Sequence, residues 1–70
     1  MMNIKSTMAG IVFHIDVKIG EEVKEGQTVV ILESMKMEIP IESNVNGVVS
    51  EILVQEGDFV NENDSLVVIS

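Results

Sequence analysis

The chain has 70 residues, of which twelve are acidic, four are lysine and none is arginine or cysteine, and its formal net charge is −8. A core of this size leaves little room for the deep cleft of a self-contained enzyme. The acidic balance argues against binding to a nucleic-acid backbone or to an anionic membrane surface. The absence of cysteine excludes disulfide scaffolds and thiolate metal sites, and it favours a cytoplasmic location.

The apolar residues predict an all-β chain. Valine and isoleucine dominate them, and glycine, asparagine and aspartate interrupt them every few residues, which is typical of short strands. The predicted strands and extended pieces, in chain order, are 3–8, 10–16, 22–24, 28–34, 37–43, 46–54, 59–61 and 65–70. Several short strands with tight turns in one small domain indicate a barrel or sandwich.

An internal repeat organises the single domain, residues 1–70. A shift of 37 residues superimposes residues 10–33 on 47–70, and it places Gly26 on Asn63, two residue types that readily adopt positive φ. Neither half could bury its apolar face alone, so the halves predict a pseudo-twofold pair. The segment 34–46 joins them, and the symmetry places the turn at Met35 and Lys36 opposite both chain ends.

The turn between strands 28–34 and 37–43 lacks the usual hairpin residues. Met35, Lys36 and Met37 stand where a tight hairpin normally has glycine, asparagine or aspartate. Exposed methionines beside a lysine contribute nothing to folding, and local rules broken without structural benefit tend to mark functional sites. Lys36 is therefore the candidate functional residue.

The segment Glu33–Glu38, with the sequence ESMKME, resembles the attachment motif of biotinyl domains of the biotin carboxyl carrier type. The resemblance covers essentially the whole chain, and the further matching segments are 8–10, 20–23, 25–27, 46–47 and 56–60. It implies a flattened β-barrel of two four-stranded antiparallel sheets with pseudo-twofold symmetry. In such domains the modified lysine lies at a hairpin tip, opposite the termini.

The resemblance implies a role for each residue of the motif. Lys36 accepts biotin as an amide on its ε-amine, delivered by a biotin protein ligase. Because a lysine amine is mostly protonated at neutral pH and reacts in its neutral form, the ligase must deprotonate it. Met35 and Met37 flank the biotin as soft recognition contacts. The remaining motif residues, with weaker recognition roles, are Glu33, Ser34 and Glu38.

The implied function is that of a carrier without catalytic activity. Biotin on Lys36 serves as a swinging arm that moves CO₂, as carboxybiotin, between the biotin carboxylase and carboxyltransferase sites of a biotin-dependent carboxylase. Tethering raises the effective concentration of the cofactor at both sites. The implied partners are the ligase and the two carboxylase subunits, and we expect a monomer in isolation.

Two alternatives stay open, and some features of the chain depart from the family. A lipoyl or dual carrier would use the same Lys36, but lipoyl domains usually have Asp-Lys-Ala at the tip, so Met-Lys-Met favours biotin. An unmodified interaction adaptor has no use for two exposed methionines. Segment 16–24 is too short for the protruding loop of some acetyl-CoA carboxylase carriers. No Ala/Pro-rich stretch stands before the predicted first strand, so we expect a freestanding single-domain carrier. His14 and Asp16 share a strand face without further ligands, so we predict no metal site.

Overall fold

Eight short strands and no helix make up the protein, and the computed structural model describes all 70 residues. The strands are β1 (Met2–Lys5), β2 (Gly10–Ile15), β3 (Glu22–Val23), β4 (Thr28–Ser34), β5 (Met37–Glu42), β6 (Gly47–Ile52), β7 (Phe59–Val60) and β8 (Ser65–Ile69). With no helix in the chain, nothing helical is available to cross a membrane.

The strands form two four-stranded antiparallel sheets, so the predicted fold class is confirmed. One sheet has the order β1-β8-β6-β3 and the other the order β5-β4-β2-β7. Pro40 lies in β5, an edge strand, where its missing N–H leaves no ladder hydrogen bond unmade. The predicted strand 3–8 was too long at its end. After Lys5 the Ser6 hydroxyl donates to the Met8 carbonyl and bends the chain out of the sheet.

Backbone hydrogen bonds obey the pseudo-twofold relation residue by residue. Shifting by 37 residues converts β1, β2, β3 and β4 into β5, β6, β7 and β8, and it converts one sheet order into the other. The Gly20 N–H donates to the Val49 carbonyl, and the Gly57 N–H donates to the Val12 carbonyl, both at 2.8 Å. The relation also extends to residues before Gly10, since Ser43 Oγ repeats the bond of Ser6 by donating to the Val45 carbonyl.

The core lies between the two sheets and is built almost entirely from β-branched side chains and leucine. Thirteen buried apolar residues form one cluster. Its members include Val12 and Leu32 from one half of the repeat and their counterparts Val49 and Ile69 from the other. Each half therefore covers the apolar face of its partner, as the repeat predicted.

The β4–β5 turn and the chain termini lie at opposite ends of the barrel. The C-terminal Ser70 exchanges backbone hydrogen bonds with Val48 in β6, and β1 pairs with β8 beside it. The loop before β6 is bonded to the loop before β4, because the Glu25 N–H donates to Asn46 Oδ1 at 2.8 Å. The termini thus adjoin the start of β4. The seven residues of β4 place its turn roughly 20 Å away. We call the two regions the hairpin end and the terminal end.

Candidate functional site

The β4–β5 turn is a two-residue hairpin loop with an unfavourable backbone. Ser34 pairs with Met37, so that Met35 and Lys36 alone connect the strands. Their φ angles are +53° and +64°, as a type I′ turn requires. The left-handed region costs an L-residue with a long side chain about 1–2 kcal/mol. The surrounding ladder holds two consecutive residues in a conformation that glycine or asparagine would adopt more easily.

The strained turn displays its side chains to solvent. Met35 is 84% exposed and Met37 is 57% exposed. Lys36 is also exposed, and its amine has no hydrogen-bond or ion-pair partner within the chain. No side chain shields this amine or competes for it, so a modifying enzyme can reach Lys36 without unfolding the barrel. The exposed Met35 and Met37 contradict a core-packing role for this pair.

Two carboxylates lie directly across the hairpin from each other, next to the turn. Glu33 of β4 pairs with Glu38 of β5, and both are exposed. Like charges directly opposite each other on neighbouring strands destabilise a hairpin. The only cationic side chain on the hairpin is Lys36, and acylation would remove its charge. This acidic pair favours docking against a basic surface.

Gly10 fixes the position of the hairpin end. A Cβ at this position would lie 2.9 Å from the Glu33 carbonyl oxygen and 3.4 Å from Ser34 Cβ. The start of β2 therefore approaches the end of β4 more closely than any side chain would permit. The same close approach occurs at the terminal end, where a Cβ on Gly47 would lie 2.6 Å from the Ser70 carbonyl oxygen.

A shallow groove of about 460 Å³ runs beside the turn. Its walls come from three strands and the turn itself, and the lining residues are Ala9, Gly10, Ile11, Glu33, Ser34, Met35, Lys36 and Phe59. Ile11 and Phe59 are Cα partners across the β2–β7 pair, which brings together side chains 48 positions apart in sequence. Phe59 is 63% exposed, an unusual environment for a large aromatic side chain.

The structure brings every residue of the predicted motif onto one hairpin, but sequence reasoning missed the groove beside it. Ala9, Ile11 and Phe59 complete the surface around Lys36. A signal was present in the repeat, because Phe59 stands where the other half has Glu22. His14 lies within 3.1 Å of both Asp16 and Glu56, away from the hairpin turn. No group of three or more potential ligands is placed to hold a metal ion.

The fold is thus a small β-barrel that displays Lys36 on a strained hairpin turn. Residues 2–69 match the biotin/lipoyl family, whose description is "Biotin-requiring enzyme". The chain belongs to this family, and it is a carrier domain with no catalytic role of its own.

Known proteins resemble the chain over nearly all of its length. The biotin/lipoyl attachment protein of Bacillus subtilis is 49% identical over 69 residues, which are 99% of this chain and 94% of that protein. The Kluyveromyces lactis urea carboxylase has a TM-score of 0.93 and 30% identity over 99% of this chain and 6% of its own. The lipoyl domain of the Azotobacter vinelandii 2-oxoglutarate dehydrogenase complex has a TM-score of 0.79 and 29% identity, over 100% of this chain and 96% of that domain.

Proposed function

We propose that this chain is a biotin carboxyl carrier and that Lys36 is the residue that carries biotin. The observation that supports this most directly is the turn itself. An unpaired amine stands between two exposed methionines, and the backbone of Met35 and Lys36 is held in a left-handed conformation that these residue types disfavour. Structure maintained against local preference is typical of functional sites.

The residues present suit attachment of biotin as an amide. The Nζ of Lys36, once deprotonated in a ligase site, attacks the carbonyl carbon of biotinyl-adenylate. A C–N bond forms, AMP leaves with the bonding electrons of its C–O bond, and the amine proton passes to the ligase. Met35 and Met37 offer polarisable contacts to the ligase, and the Glu33–Glu38 pair offers charge to a basic surface.

When bound, biotin supplies a ring nitrogen that carries a carboxyl group. This chain contributes the position of the attached biotin. The hairpin end projects Lys36 away from the termini, so that the arm can reach a biotin carboxylase site and then a carboxyltransferase site while the chain is held elsewhere. A tethered cofactor has a high effective concentration at both sites. Within this proposal the partners are a biotin protein ligase and those two carboxylase components, the carrier acts as a monomer, and it works in the cytoplasm.

The test is modification by a purified biotin protein ligase with biotin and ATP, followed by intact-mass spectrometry. We expect the addition of one biotin, and we expect Lys36→Arg to abolish it completely. The matched controls are Lys18→Arg and Lys24→Arg, which remove other exposed lysines and should leave the modification unchanged. Biotin added to the Lys36→Arg variant would contradict the assignment.

A lipoyl carrier is the second candidate, because the lipoyl domain from Azotobacter vinelandii shares the fold at similar identity. The urea carboxylase resembles the chain more closely in backbone shape, with a TM-score of 0.93 against 0.79. The same assay with a lipoate ligase separates the two candidates. A lipoyl mass on Lys36 and no biotin would favour the lipoyl carrier, and no modification by either ligase would favour the unmodified adaptor.

A further inference from the structure

The pseudo-twofold relation allows the groove beside Lys36 to be compared with an equivalent groove at the terminal end. That second groove has a volume of about 340 Å³ and includes Glu22, Lys24, Asn46 and Val48 in its lining. The fold therefore produces a groove at each end of the barrel. The two grooves differ in the side chains at equivalent positions, and only the hairpin-end groove is also lined by residues 33–36.

Equivalent positions of the two grooves carry different side chains, and at two of them the hairpin end has an apolar residue where the terminal end has a polar one. Phe59 stands in the place of Glu22, and Ala9 stands in the place of Asn46. Ile11 replaces the slightly smaller Val48. Since charged and polar residues at the terminal end support the same backbone, the fold does not require apolar residues at the hairpin end. The exposed side chains of Ile11, Met35 and Phe59 line one groove, and a contiguous exposed apolar patch indicates a ligand or a partner.

The shape of the groove favours a small occupant that is already attached. The groove is shallow and open, which is unsuited to retaining a free small molecule, because good ligand sites bury most of the ligand surface. A protein interface needs about 800 Å² from each partner, whereas this patch is a single concave groove a few residues wide. Lys36 itself forms part of the wall, so an arm attached to it is present at high effective concentration.

We infer that the groove formed by Ala9, Ile11, Met35 and Phe59 is a resting site for the biotin ring carried on Lys36. This inference rests on the proposed function. A fused bicyclic ring with a thioether presents an apolar face, which suits the Phe59 ring and the Met35 thioether. The ureido group needs polar partners, and Glu33 and Ser34 line the same groove. Resting there removes apolar surface of the arm and of Phe59 from water between transfers.

The chain offers a matched pair of reporters for this contact, because Phe13 and Phe59 are its only aromatic residues. Phe13 is 49% exposed and does not line the groove. The protein is labelled with fluorophenylalanine, its two ¹⁹F signals are assigned with Phe13→Leu and Phe59→Leu, and spectra are compared before and after complete biotinylation. We expect the Phe59 signal to move and the Phe13 signal to stay.

A second measurement uses methyl-labelled isoleucine. Biotinylation should also shift the Ile11 methyl signal, and Phe59→Glu, which copies the residue type of the terminal end, should abolish that shift. Glu22→Phe is the matched control and should leave it unchanged. If Phe59→Glu instead leaves the Ile11 shift intact and slows carboxyl transfer to a partner enzyme, the groove binds that enzyme and the resting site is refuted.

Intact mass separates the two ways in which the inference can fail. A protein that gains the mass of biotin but whose Phe59 and Ile11 signals do not move overturns the resting site and leaves the carrier function in place. A protein that gains no biotin overturns the carrier function and the resting site together.

Discussion

The hairpin end and the terminal end of the barrel have equivalent strand arrangements but different side chains and connections. Both have a glycine at which a strand end approaches closely, and both have a groove beside it. At the terminal end β8 ends at Ile69, and the groove there is lined by Glu22, Lys24 and Asn46 together with Val23 and Val48. At the hairpin end a two-residue turn with positive φ connects the strands, and the groove beside it includes the exposed side chains of Ile11, Met35 and Phe59. The features that differ between the two ends are therefore not required for folding.

The two halves of the core are symmetric in the positions of their buried residues. Leu32 and Ile69 occupy equivalent positions, and each is at most 1% exposed. Changing either one to alanine should lower the free energy of unfolding by about 2–5 kcal/mol, through lost burial and the cavity left behind. Urea denaturation of the two variants measures this loss. If one variant lost less than half as much free energy as the other, the two halves would not carry the fold equally.

The close approach at Gly10 should matter for modification as well as for stability. Gly10→Ala forces a methyl group against the Glu33 carbonyl oxygen, and we expect a loss of about 1–3 kcal/mol. The displaced hairpin should also slow biotinylation of the folded protein, measured as initial rate with purified ligase. Gly47→Ala is the counterpart at the terminal end and should lose stability without slowing modification. Equal rates for the two variants would show that the position of the hairpin is unimportant.

The strained turn separates stability from function at a single residue. Met35→Asn places a residue that tolerates positive φ in the left-handed region, and it should stabilise the protein by about 1 kcal/mol. It also removes a contact residue, so biotinylation should become slower. Thermal unfolding and ligase kinetics measure the two effects. Met35→Leu, which stays apolar and strained, should change stability by less than about 0.5 kcal/mol. A lower melting temperature for Met35→Asn would mean that Met35 supports the fold.

The smallest expected effect concerns the polar contact present at one end only. Asn46→Ala removes the hydrogen bond to the Glu25 N–H, which is exposed, and should cost at most about 1 kcal/mol. Ala9→Asn introduces the same side chain beside the Glu62 N–H and should give a gain of similar size. Denaturation of the two variants would measure both. Opposite signs would support a polar contact that was given up at the hairpin end, and equal signs would contradict it.

The strands of this fold were predictable because their signals are local. Runs of valine and isoleucine between glycine and asparagine identified all eight strands, and Gly26 and Asn63 indicated turns with positive φ, which the structure has. The predicted end of the first strand was wrong because Ser6 turns the chain with its own side chain. The extension of the repeat to Ser6 and Ser43 depends on two buried hydroxyls, and two serines give too weak a pattern to detect from sequence.

The site was predictable only where its residues are neighbours in sequence. The Met-Lys-Met motif is contiguous, so its position on a hairpin tip followed from the flanking strands. The groove depends on the pairing of β7 with β2, which joins Phe59 to Ile11, and no local pattern specifies that register. Only the misalignment of Phe59 with Glu22 hinted at it. The contrast between the two ends depends on strand pairing in three dimensions, which the sequence alone does not specify.

If Lys36 carries biotin as proposed, its distance from the termini extends the reach of the attached arm. If either end of the chain is anchored, the rigid β4–β5 hairpin places Lys36 roughly 20 Å from the anchored end. The flexible lysine side chain adds to that distance. Rotation of the barrel about the anchored end moves Lys36 through a far larger region than motion of the lysine side chain alone could cover. Because the turn is held in one backbone conformation, the hairpin increases the reach of Lys36 without making its position more variable.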